Sequence, residues 1–523
     1  GVQYRNCVVA SRRVSTMVVP HDQAVRTTPD EIPLFVYPPI DPTVFSKWDP
    51  CRFDQIYIYA QEEGGNTIPI TTPLDNFRFR LTVIDHISGD SVVYPTAVII
   101  IPAGRESEFL FATRRGLEAL ASSAQCARLV AVALGRREQH HTFTSSQSIQ
   151  DELTFVVQII AQQGRFLQTA RKDVPSMKTT RISENPTIPF MAIDGVGSRN
   201  IVAEGESALS GKYIIEQVKV EGRMLRRLYF MDNPFLIQSE VAILENTDII
   251  DKTYLAFDYH KTMCGGIIHF SLTANEESSG LVIGLGGAGL VNFLQHVLIN
   301  NVLHVIELDP DVVNVAESYF GFDSKNSKKI IVHIDDGLKV GEQDSTTSFF
   351  GDTTTLFDFI VIDVDSKDNS IGMSCPPQAF LEIAYLSTLK NFLRPNGVLV
   401  LNVSARNTEM LSMATTRIKS VFETVFISSS DDQQEGQHDL NVVIFAMSVQ
   451  IEIPTQKEYL RKVESVLQSC HNNTYPIGET LESLEDSLSM LAISGDETID
   501  LSPTNLPNEK GEKKRKKRKG RKK

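Results

Sequence analysis

Short apolar runs separated by amphipathic stretches dominate the chain between residues 281 and 447. Their alternation with helix-length segments predicts an α/β fold, with strands at 281–283, 305–307, 330–334, 357–365 and 398–403. The run at 357–365 shows no apolar and polar alternation, which indicates a strand buried on both faces, as in a parallel sheet. Two late strands are predicted at 422–427 and 441–447, so we expect a seven-stranded sheet.

The first half of the chain shows a different pattern. β-branched alternation at 77–83 and 97–101 predicts strands, and a helix at 116–123 and a strand at 129–134 follow. Residues 213–237 predict antiparallel strands that turn at Glu221-Gly222. The predicted organisation is an irregular segment with a remnant of a preceding domain (1–60), a smaller α/β central region (61–195), a β-hairpin (196–250), the main α/β domain (251–450), C-terminal helices with a linker (451–508) and a basic disordered tail (509–523).

A glycine-rich turn follows the first strand of the main domain. Gly284, Gly286 and Gly289 stand between the apolar run 281–283 and the helix-like residues 291–297. Glycine suits such a turn because the backbone bends sharply and approaches a ligand closely, and a side chain would prevent both. The motif alone is weak evidence, since nicotinamide-binding folds and plain strand-to-helix turns share it.

Acidic residues end each of the next three strands. Glu307 lies 21 residues after Gly286, where a carboxylate can accept hydrogen bonds from two ribose hydroxyls of an adenosine. Asp336 precedes Gly337 and is expected to accept a hydrogen bond from the exocyclic amine of adenine. Because ligands bind at the carboxyl edge of an open α/β sheet, these residues and Asp363 predict a site for a nucleoside cofactor there.

Composition favours a large soluble protein of a reducing compartment. With 523 residues, 41% of them hydrophobic, the chain can bury more than one core. Its six cysteines show neither a pairing rhythm nor metal-ligand spacing, so we expect no disulfide framework and no metal site. No apolar run reaches the roughly 18 residues of a membrane-spanning helix. We therefore expect a cytoplasmic protein that does not enter a membrane.

Charge is divided unevenly between the body of the chain and its C-terminus. Residues 510–523 contain eleven Lys or Arg and one Glu, a net charge of +10. Since the net charge of the whole chain is −14, the other 509 residues carry −24. Such a tail cannot fold alone, because its charges repel and it has nothing to bury. Its functional interpretations are nuclear import and binding to RNA, to ribosomes or to the acidic body. The alternative is a solvated tail without a specific partner.

The order of these motifs resembles a known family. The glycine turn, Glu307-Leu308-Asp309-Pro310, Asp335-Asp336-Gly337 and the strand-borne Asp363 are similar to class I S-adenosylmethionine-dependent methyltransferases of the spermidine-synthase-like branch. The stretch 363–380 resembles the carboxyl-terminal half of the two-domain methyltransferases that modify translation elongation factor 1-alpha at a lysine and at its N-terminus. The resemblance covers residues 60–495 and implies a Rossmann-like, seven-stranded α/β fold preceded by a β-hairpin and the central region.

The resemblance implies S-adenosylmethionine as cofactor and elongation factor 1-alpha as protein substrate. In that family a further domain, responsible for the lysine activity, precedes the central region, but no glycine-rich turn follows an apolar strand before Gly284. We therefore expect methylation of the N-terminal α-amine and do not carry over lysine methylation. The chain is interpreted as a fragment or as a form without that domain. The resemblance leaves undecided whether the chain forms a homodimer.

Three residues are candidates for catalysis. Side chains alternate along a strand, so Asp363 and Asp365 are expected to point to the same face. Our hypothesis is that Asp365 and Asn402, the latter from the next strand, hold the incoming α-amine, while Asp363 lies nearer the methionine part of the cofactor. The alternative for either aspartate is a helix cap or a structural role.

Three other functions compete with this interpretation. An aminopropyltransferase would share the fold, but the stretch 366–377 argues against it. A nicotinamide oxidoreductase is disfavoured by Asp336-Gly337 and by the late strand pair. A non-catalytic scaffold that binds protein or RNA would fit the large central region and the basic tail. The presence of all four cofactor-side elements weighs against a site without activity.

Overall fold

The computed structural model describes most of the chain between residues 77 and 470 and a few strands outside that range. The described residues are 34–36, 54–59, 77–85, 93–136, 145–162, 188–192, 196–232, 234–272, 277–298, 301–341, 350, 355–366, 373–405, 407–429, 440–452, 454, 456–470 and 491–493. The basic tail, most of the segment 1–60 and residues 367–372 of the family-like stretch lie outside them.

The chain divides into two compact units. The first comprises Gly1–Ala256, Gly286–Phe293 and Asp309–Asn326, and the second comprises Phe257–Leu285, Leu294–Leu308 and Ser327–Lys523. Each unit therefore combines segments that are distant in sequence, and the glycine turn crosses from one to the other after Leu285.

A six-stranded mixed sheet opens the first unit. Its order is β1-β2-β3-β5-β4-β6, with β1 (Leu34–Val36), β2 (Asp54–Tyr59), β3 (Phe77–Asp85), β4 (Tyr94–Ile100), β5 (Cys126–Leu134) and β6 (Phe190–Ala192). Helices accompany it at α1 (Phe109–Ala112), α2 (Arg114–Ser123) and α3 (Ser146–Gln162). β5 is buried along its whole length, because Leu153 and Val157 of α3 pack on one face and Leu117 and Ala121 of α2 on the other.

A five-stranded antiparallel sheet follows in the same unit. Its strands are β7 (Arg199–Ser207), β8 (Gly211–Val220), β9 (Arg223–Phe230), β10 (Ser239–Ile243) and β11 (Ile250–Asp251), in the order β11-β10-β9-β8-β7. The predicted turn lies between β8 and β9, where Glu221 and Gly222 have φ values of +50° and +84°. Two successive positive φ values suit a tight hairpin. The predicted hairpin is thus two strands of a larger sheet.

The second unit is built on a nine-stranded sheet. Its strands are β12 (Ser278–Ile283), β13 (Asn301–Glu307), β14 (Ile330–Ile334), β15 (Phe357–Ile362), β16 (Met373–Cys375), β17 (Leu393–Ala405), β18 (Thr424–Ser429), β19 (Leu440–Met447) and β20 (Leu491–Ile493). Seven of them have the order β14-β13-β12-β15-β17-β19-β18, and β19 is antiparallel to both neighbours. This topology is that of class I methyltransferases, so the predicted fold is confirmed. β20 and β16 are additions that the apolar pattern did not predict.

The helices in this part of the chain are α4 (Asp258–Ser271), α5 (Gly289–Val297), α6 (Pro310–Tyr319), α7 (Ile383–Phe392), α8 (Thr408–Lys419) and α9 (Gln456–Cys470). α6 and the start of α5 belong to the first unit. Leu386 of α7 and Ile418 of α8 join a core with Ile360 and Leu401 of the sheet. α4 packs on β17 and β19, and α9 packs on α4. None of the helices in the described ranges is both long and apolar enough to cross a membrane.

A histidine pair lies between the neighbouring strands β13 and β14, with His304 buried and His333 half-buried. His304 Nδ1 lies 3.1 Å from His333 Nε2, and Phe350 meets both rings edge-on. Burial, assisted by His333, lowers the pKa of His304 to about 4, and burial also lowers the pKa of His333. Both groups are therefore neutral in the folded protein at pH 7.

We predict that this pair makes the protein less stable in mild acid. Unfolded histidines have a pKa near 6.5, so the stability is complete above that pH and is lost as the pH falls toward 4. Between pH 7 and pH 5 the free energy of unfolding should fall by about 2 kcal/mol on this account. Urea unfolding at both pH values tests this, with the double variant His304→Phe, His333→Phe as control. Equal pH dependence in the variant and the wild type would contradict the prediction.

Candidate active site

The carboxyl ends of four parallel strands meet at one edge of the nine-stranded sheet. Ile283 of β12 is in register with Ile306 of β13 and with Ile362 of β15, and Glu307 is in register with Ile334 of β14. The residues that follow these strands are therefore neighbours in space. This edge is where an open α/β sheet binds its ligands.

Gly284 begins the glycine turn under a tight steric constraint. Its φ is +95°, and a Cβ built there would lie 2.1 Å from the carbonyl oxygen of Asp363. The next residue, Leu285, donates its N–H to Glu307 Oε2 at 2.9 Å. The predicted ribose-binding carboxylate thus also holds the start of the turn.

The rest of the turn belongs to the first unit. Gly286 and Ala288 have φ values of +52° and +59°, and Gly289 begins α5 without a positive φ. Gly287 donates its N–H to Ser239 Oγ at 2.7 Å. The left-handed position next to the helix is therefore taken by Ala288, where glycine would be the usual choice.

The third strand leads into a short helical turn. Asp336 Oδ1 accepts the N–H of Leu338 at 2.9 Å and so caps the turn Gly337–Lys339. The hydroxyl of Tyr385 donates to the carbonyl oxygen of Gly337 at 2.7 Å, and burial together with Asp336 raises the pKa of Tyr385. Asp336 therefore has a structural role in addition to the predicted contact with adenine.

Asp363 is the centre of a polar cluster at the end of β15. Its Oδ2 lies 2.9 Å from His260 Nε2, and its Oδ1 accepts a hydrogen bond from Asn402 Nδ2 at 3.0 Å. The main-chain N–H of Asp363 donates to the carbonyl oxygen of Ile283 at 3.0 Å. The carboxylate is thereby fixed from two directions, by α4 and by β17.

The side chain of Asn402 has a hydrogen-bond acceptor that no described residue of this cluster uses. Its side chain is 6% exposed, and its Oδ1 has no hydrogen-bond partner within the described residues. A buried amide oxygen without a donor is costly, so such an atom points to a ligand that supplies one. A bound N–H or O–H group is the chemistry that would satisfy it.

Two neutral groups lie beside the two aspartates. Burial raises the pKa of Tyr259 and of Cys375 well above their usual values, and the charges of Asp363 and Asp365 add to the effect in both cases. The ring of Tyr259 lies 4.3 Å from that of His260 and stacks on Phe257 at 5.5 Å. At neutral pH these side chains form an aromatic and thiol wall, and neither is ionised to act as a base.

The arrangement differs in part from the sequence hypothesis. β15 ends at Ile362, so Asp363 and Asp365 follow the strand and are not part of it. Asn402 is paired with Asp363, whereas the hypothesis grouped it with Asp365. Asp365 is exposed. The roles assigned to these three residues stay predictions.

His260 and Tyr259 were not predicted as site residues. They lie in α4, which precedes the first strand of the sheet, whereas the predicted site residues all come from the glycine turn and the strand ends. A signal was available, since Phe257-Asp258-Tyr259-His260 combines three aromatic rings with an acid at a helix start. Within the described residues, no group of three His, Cys, Asp or Glu is arranged to hold a metal ion.

The comparisons with known proteins extend over this site. Residues 257–429 match the spermine/spermidine synthase domain. The chain is 32% identical over 426 residues to the eEF1A lysine and N-terminal methyltransferase of Xenopus laevis, covering 74% of this chain and 57% of that protein. With the protein of the same name from Homo sapiens it is 32% identical over 391 residues, covering 67% and 51%.

A solved structure, human methyltransferase-like protein 13 in complex with SAH, is 27% identical with a TM-score of 0.36, and covers 43% of this chain and 99% of that one. The chain spans about half the length of the curated relatives it matches. The family resemblance carried by residues 363–380 is confirmed by these relatives. The chain is therefore similar in sequence to the eEF1A lysine and N-terminal methyltransferases, and its residues 257–429 match the spermine/spermidine synthase domain.

Proposed function

We propose that this chain is an S-adenosylmethionine-dependent protein methyltransferase that modifies the N-terminal α-amine of translation elongation factor 1-alpha. The observation that carries the proposal is the Asp363 carboxylate, fixed by His260 and Asn402 at the ligand-binding edge of a class I sheet. The names of the curated relatives support both the reaction and the protein substrate.

The residues at this edge fit S-adenosylmethionine. Glu307 would hold the ribose, Asp336 the adenine amine, and Asp363 the ammonium group of the methionine part. The orphaned Oδ1 of Asn402 supplies one more acceptor for a group that carries N–H donors. When bound, the cofactor presents a methyl group on a positively charged sulfur.

An α-amine suits the described side chains better than a lysine does. Only a neutral amine can attack, and the reference pKa of an α-amine is about 7.7–8.0 against about 10.4 for lysine. Roughly a tenth of an α-amine is neutral at pH 7, whereas less than about one lysine in a thousand is. The neutral Tyr259 and Cys375 provide no strong base. The amine of the substrate must therefore be largely reactive by its own low pKa.

The side chains of this chain then have three tasks. Asp363, held by its two partners, orients the groups bound beside it. Tyr259 and its aromatic neighbours exclude water from one side, which favours the neutral amine over the ammonium. Asp365, which is exposed, would receive the incoming ammonium before the proton leaves to water. A carboxylate there raises the amine pKa, so it aids binding more than deprotonation.

We predict that Asp365→Ala lowers kcat/KM for the protein substrate by about tenfold to a hundredfold, because a positioning contact for the amine is lost. The affinity for S-adenosylhomocysteine should not change. Asp358→Asn is the matched control, since Asp358 lies at the opposite end of β15 and pairs with Arg394. Initial rates and calorimetric titrations measure both quantities. An unchanged rate in Asp365→Ala would remove this residue from the site.

The function itself is tested with labelled S-adenosylmethionine and elongation factor 1-alpha. Mass spectrometry then locates the label on the N-terminal peptide or on lysine peptides. Label confined to the α-amine is the expected result. Label on lysine would overturn the proposed specificity, and cofactor binding without any label would favour another substrate or a scaffold.

An aminopropyltransferase is the second candidate, because residues 257–429 match the spermine/spermidine synthase domain. Incubation with decarboxylated S-adenosylmethionine and putrescine separates the two activities. Formation of spermidine would establish the second candidate. Its absence, together with labelled protein, would leave the methyltransferase.

A further inference from the structure

The five-stranded sheet of the first unit holds the glycine turn through one serine. Ser239 begins β10 and is 8% exposed. Its hydroxyl donates to the carbonyl oxygen of Gln238 at 2.7 Å and accepts the N–H of Gly287 at 2.7 Å. A Cβ built on Gly287 would lie 2.6 Å from Ser239 Cβ, so the turn lies directly against the strand.

A second serine of the same sheet holds the segment that follows the acidic strand. Ser207, at the end of β7, is 3% exposed and donates to Asp309 Oδ2 at 2.5 Å. Asp309 follows Glu307 by two residues and caps α6 by accepting the N–H of Asp311 at 2.9 Å. The hydroxyl of Ser207 also accepts N–H groups of its own turn, from Leu209 and Ser210.

The sheet that carries these serines is itself rigidly anchored. Arg227 of β9 pairs with Glu240 of β10 at 2.5 Å, and the hydroxyl of Tyr254 donates to the other oxygen of Glu240 at 2.7 Å. Arg226 donates to the carbonyl oxygen of Tyr319, the last residue of α6, at 2.9 Å. Ion pairs with such low exposure are costly to rearrange, so β10 and its first residue, Ser239, are held in place.

We infer that Ser239 and Ser207 are positioning residues for the cofactor, which act through the backbone of the glycine turn and through the start of α6. Ser239 sets the backbone of the glycine turn, and Ser207 sets the loop after Glu307, although neither is assigned a contact with the cofactor itself. The inference rests on the proposed function, since it deepens the account of the same site.

The test is calorimetric titration of S-adenosylhomocysteine into the full chain and its variants. Ser239→Ala leaves the buried N–H of Gly287 without an acceptor, so the turn shifts, and Kd should rise about tenfold. Ser207→Ala should raise Kd by a similar factor through the other loop. Ser239→Thr keeps the hydroxyl and should retain the Kd of the wild type. KM for S-adenosylmethionine should rise with Kd, while kcat at saturation stays close to that of the wild type.

Thr253→Ala is the control, because Thr253 lies beside the same sheet and bonds only to Asp251 among the contacts described. It should lower the unfolding midpoint slightly and leave Kd unchanged. The same pattern in Ser239→Ala and Ser207→Ala, a lower midpoint with unchanged Kd, would overturn the inference and leave the proposed function intact. If the wild-type chain did not bind S-adenosylhomocysteine, both would fail together.

Discussion

Gly284→Ala is expected to destabilise the protein by about 3 kcal/mol or more and to abolish cofactor binding. The new Cβ would lie 2.1 Å from the carbonyl oxygen of Asp363, far inside van der Waals contact, and φ is +95°. Backbone atoms cannot rotate away as a side chain would, so the clash must be relieved by separating the ends of β12 and β15. Asp363 moves with that separation, and its contacts to His260 and Asn402 are lost.

Gly289→Ala is the matched control in the same turn. Its built Cβ meets only the carbonyl oxygen of Glu240, at 3.9 Å, and its φ is not positive. Alanine is also the better residue within a helix, so the unfolding free energy should stay within about 0.5 kcal/mol of the wild type or rise. Urea unfolding of the two variants gives the comparison. Equal losses of stability at both positions would show that the close approach at Gly284 is not the cause.

Most of the sheet could be predicted because its signal is local. The strand Ile330–Ile334 was predicted with its observed bounds, and the turn at Glu221-Gly222 lies where the pattern placed it. Apolar runs in buried parallel strands are continuous, which makes them easy to locate. Their ends are harder to define: β15 stops at Ile362, where Asp363 turns to bond with β12, although the apolar run suggested a longer strand.

The partners within the site could not be predicted because they depend on long-range packing. His260 and Asp363 are 103 residues apart in sequence and belong to a helix and a strand end. No periodic pattern links such positions. Only one hairpin of the five-stranded sheet was predicted. In β7 and β10 the order of polar and apolar residues is irregular, because it depends on what covers each face of the sheet.

Asp363→Ala is expected to reduce methyl transfer by about a hundredfold to a thousandfold, the range found when a positioned polar group is removed from a preorganised site. The loss has two parts. The negative charge that we propose to orient the bound groups disappears, and His260 and Asn402 lose their shared acceptor. Asn402 Oδ1 already lacks a partner within the described residues. Without Asp363, the Nδ2 group would lose its described hydrogen bond as well, so the side-chain amide would no longer be held in position.

A double-mutant cycle separates these parts. Asn402→Ala alone should cost about tenfold, because Asp363 keeps its contact with His260. If Asn402 acts by holding Asp363, then Asp363→Ala and the double variant should be almost equally slow, and the two effects will not add. Asp363→Asn, which keeps the shape but not the charge, reports the electrostatic part alone. Rates of label transfer at saturating cofactor supply all four values.

The opposite result would have a definite meaning. If the two single variants multiplied in the double variant, Asn402 would contact the ligand independently, through the acceptor that no described residue satisfies. If Asp363→Ala lost less than about threefold, the cluster around it would be structural, and the exposed Asp365 would become the principal carboxylate of the site. The same kinetic series therefore decides which aspartate at the end of β15 has the main role in the reaction.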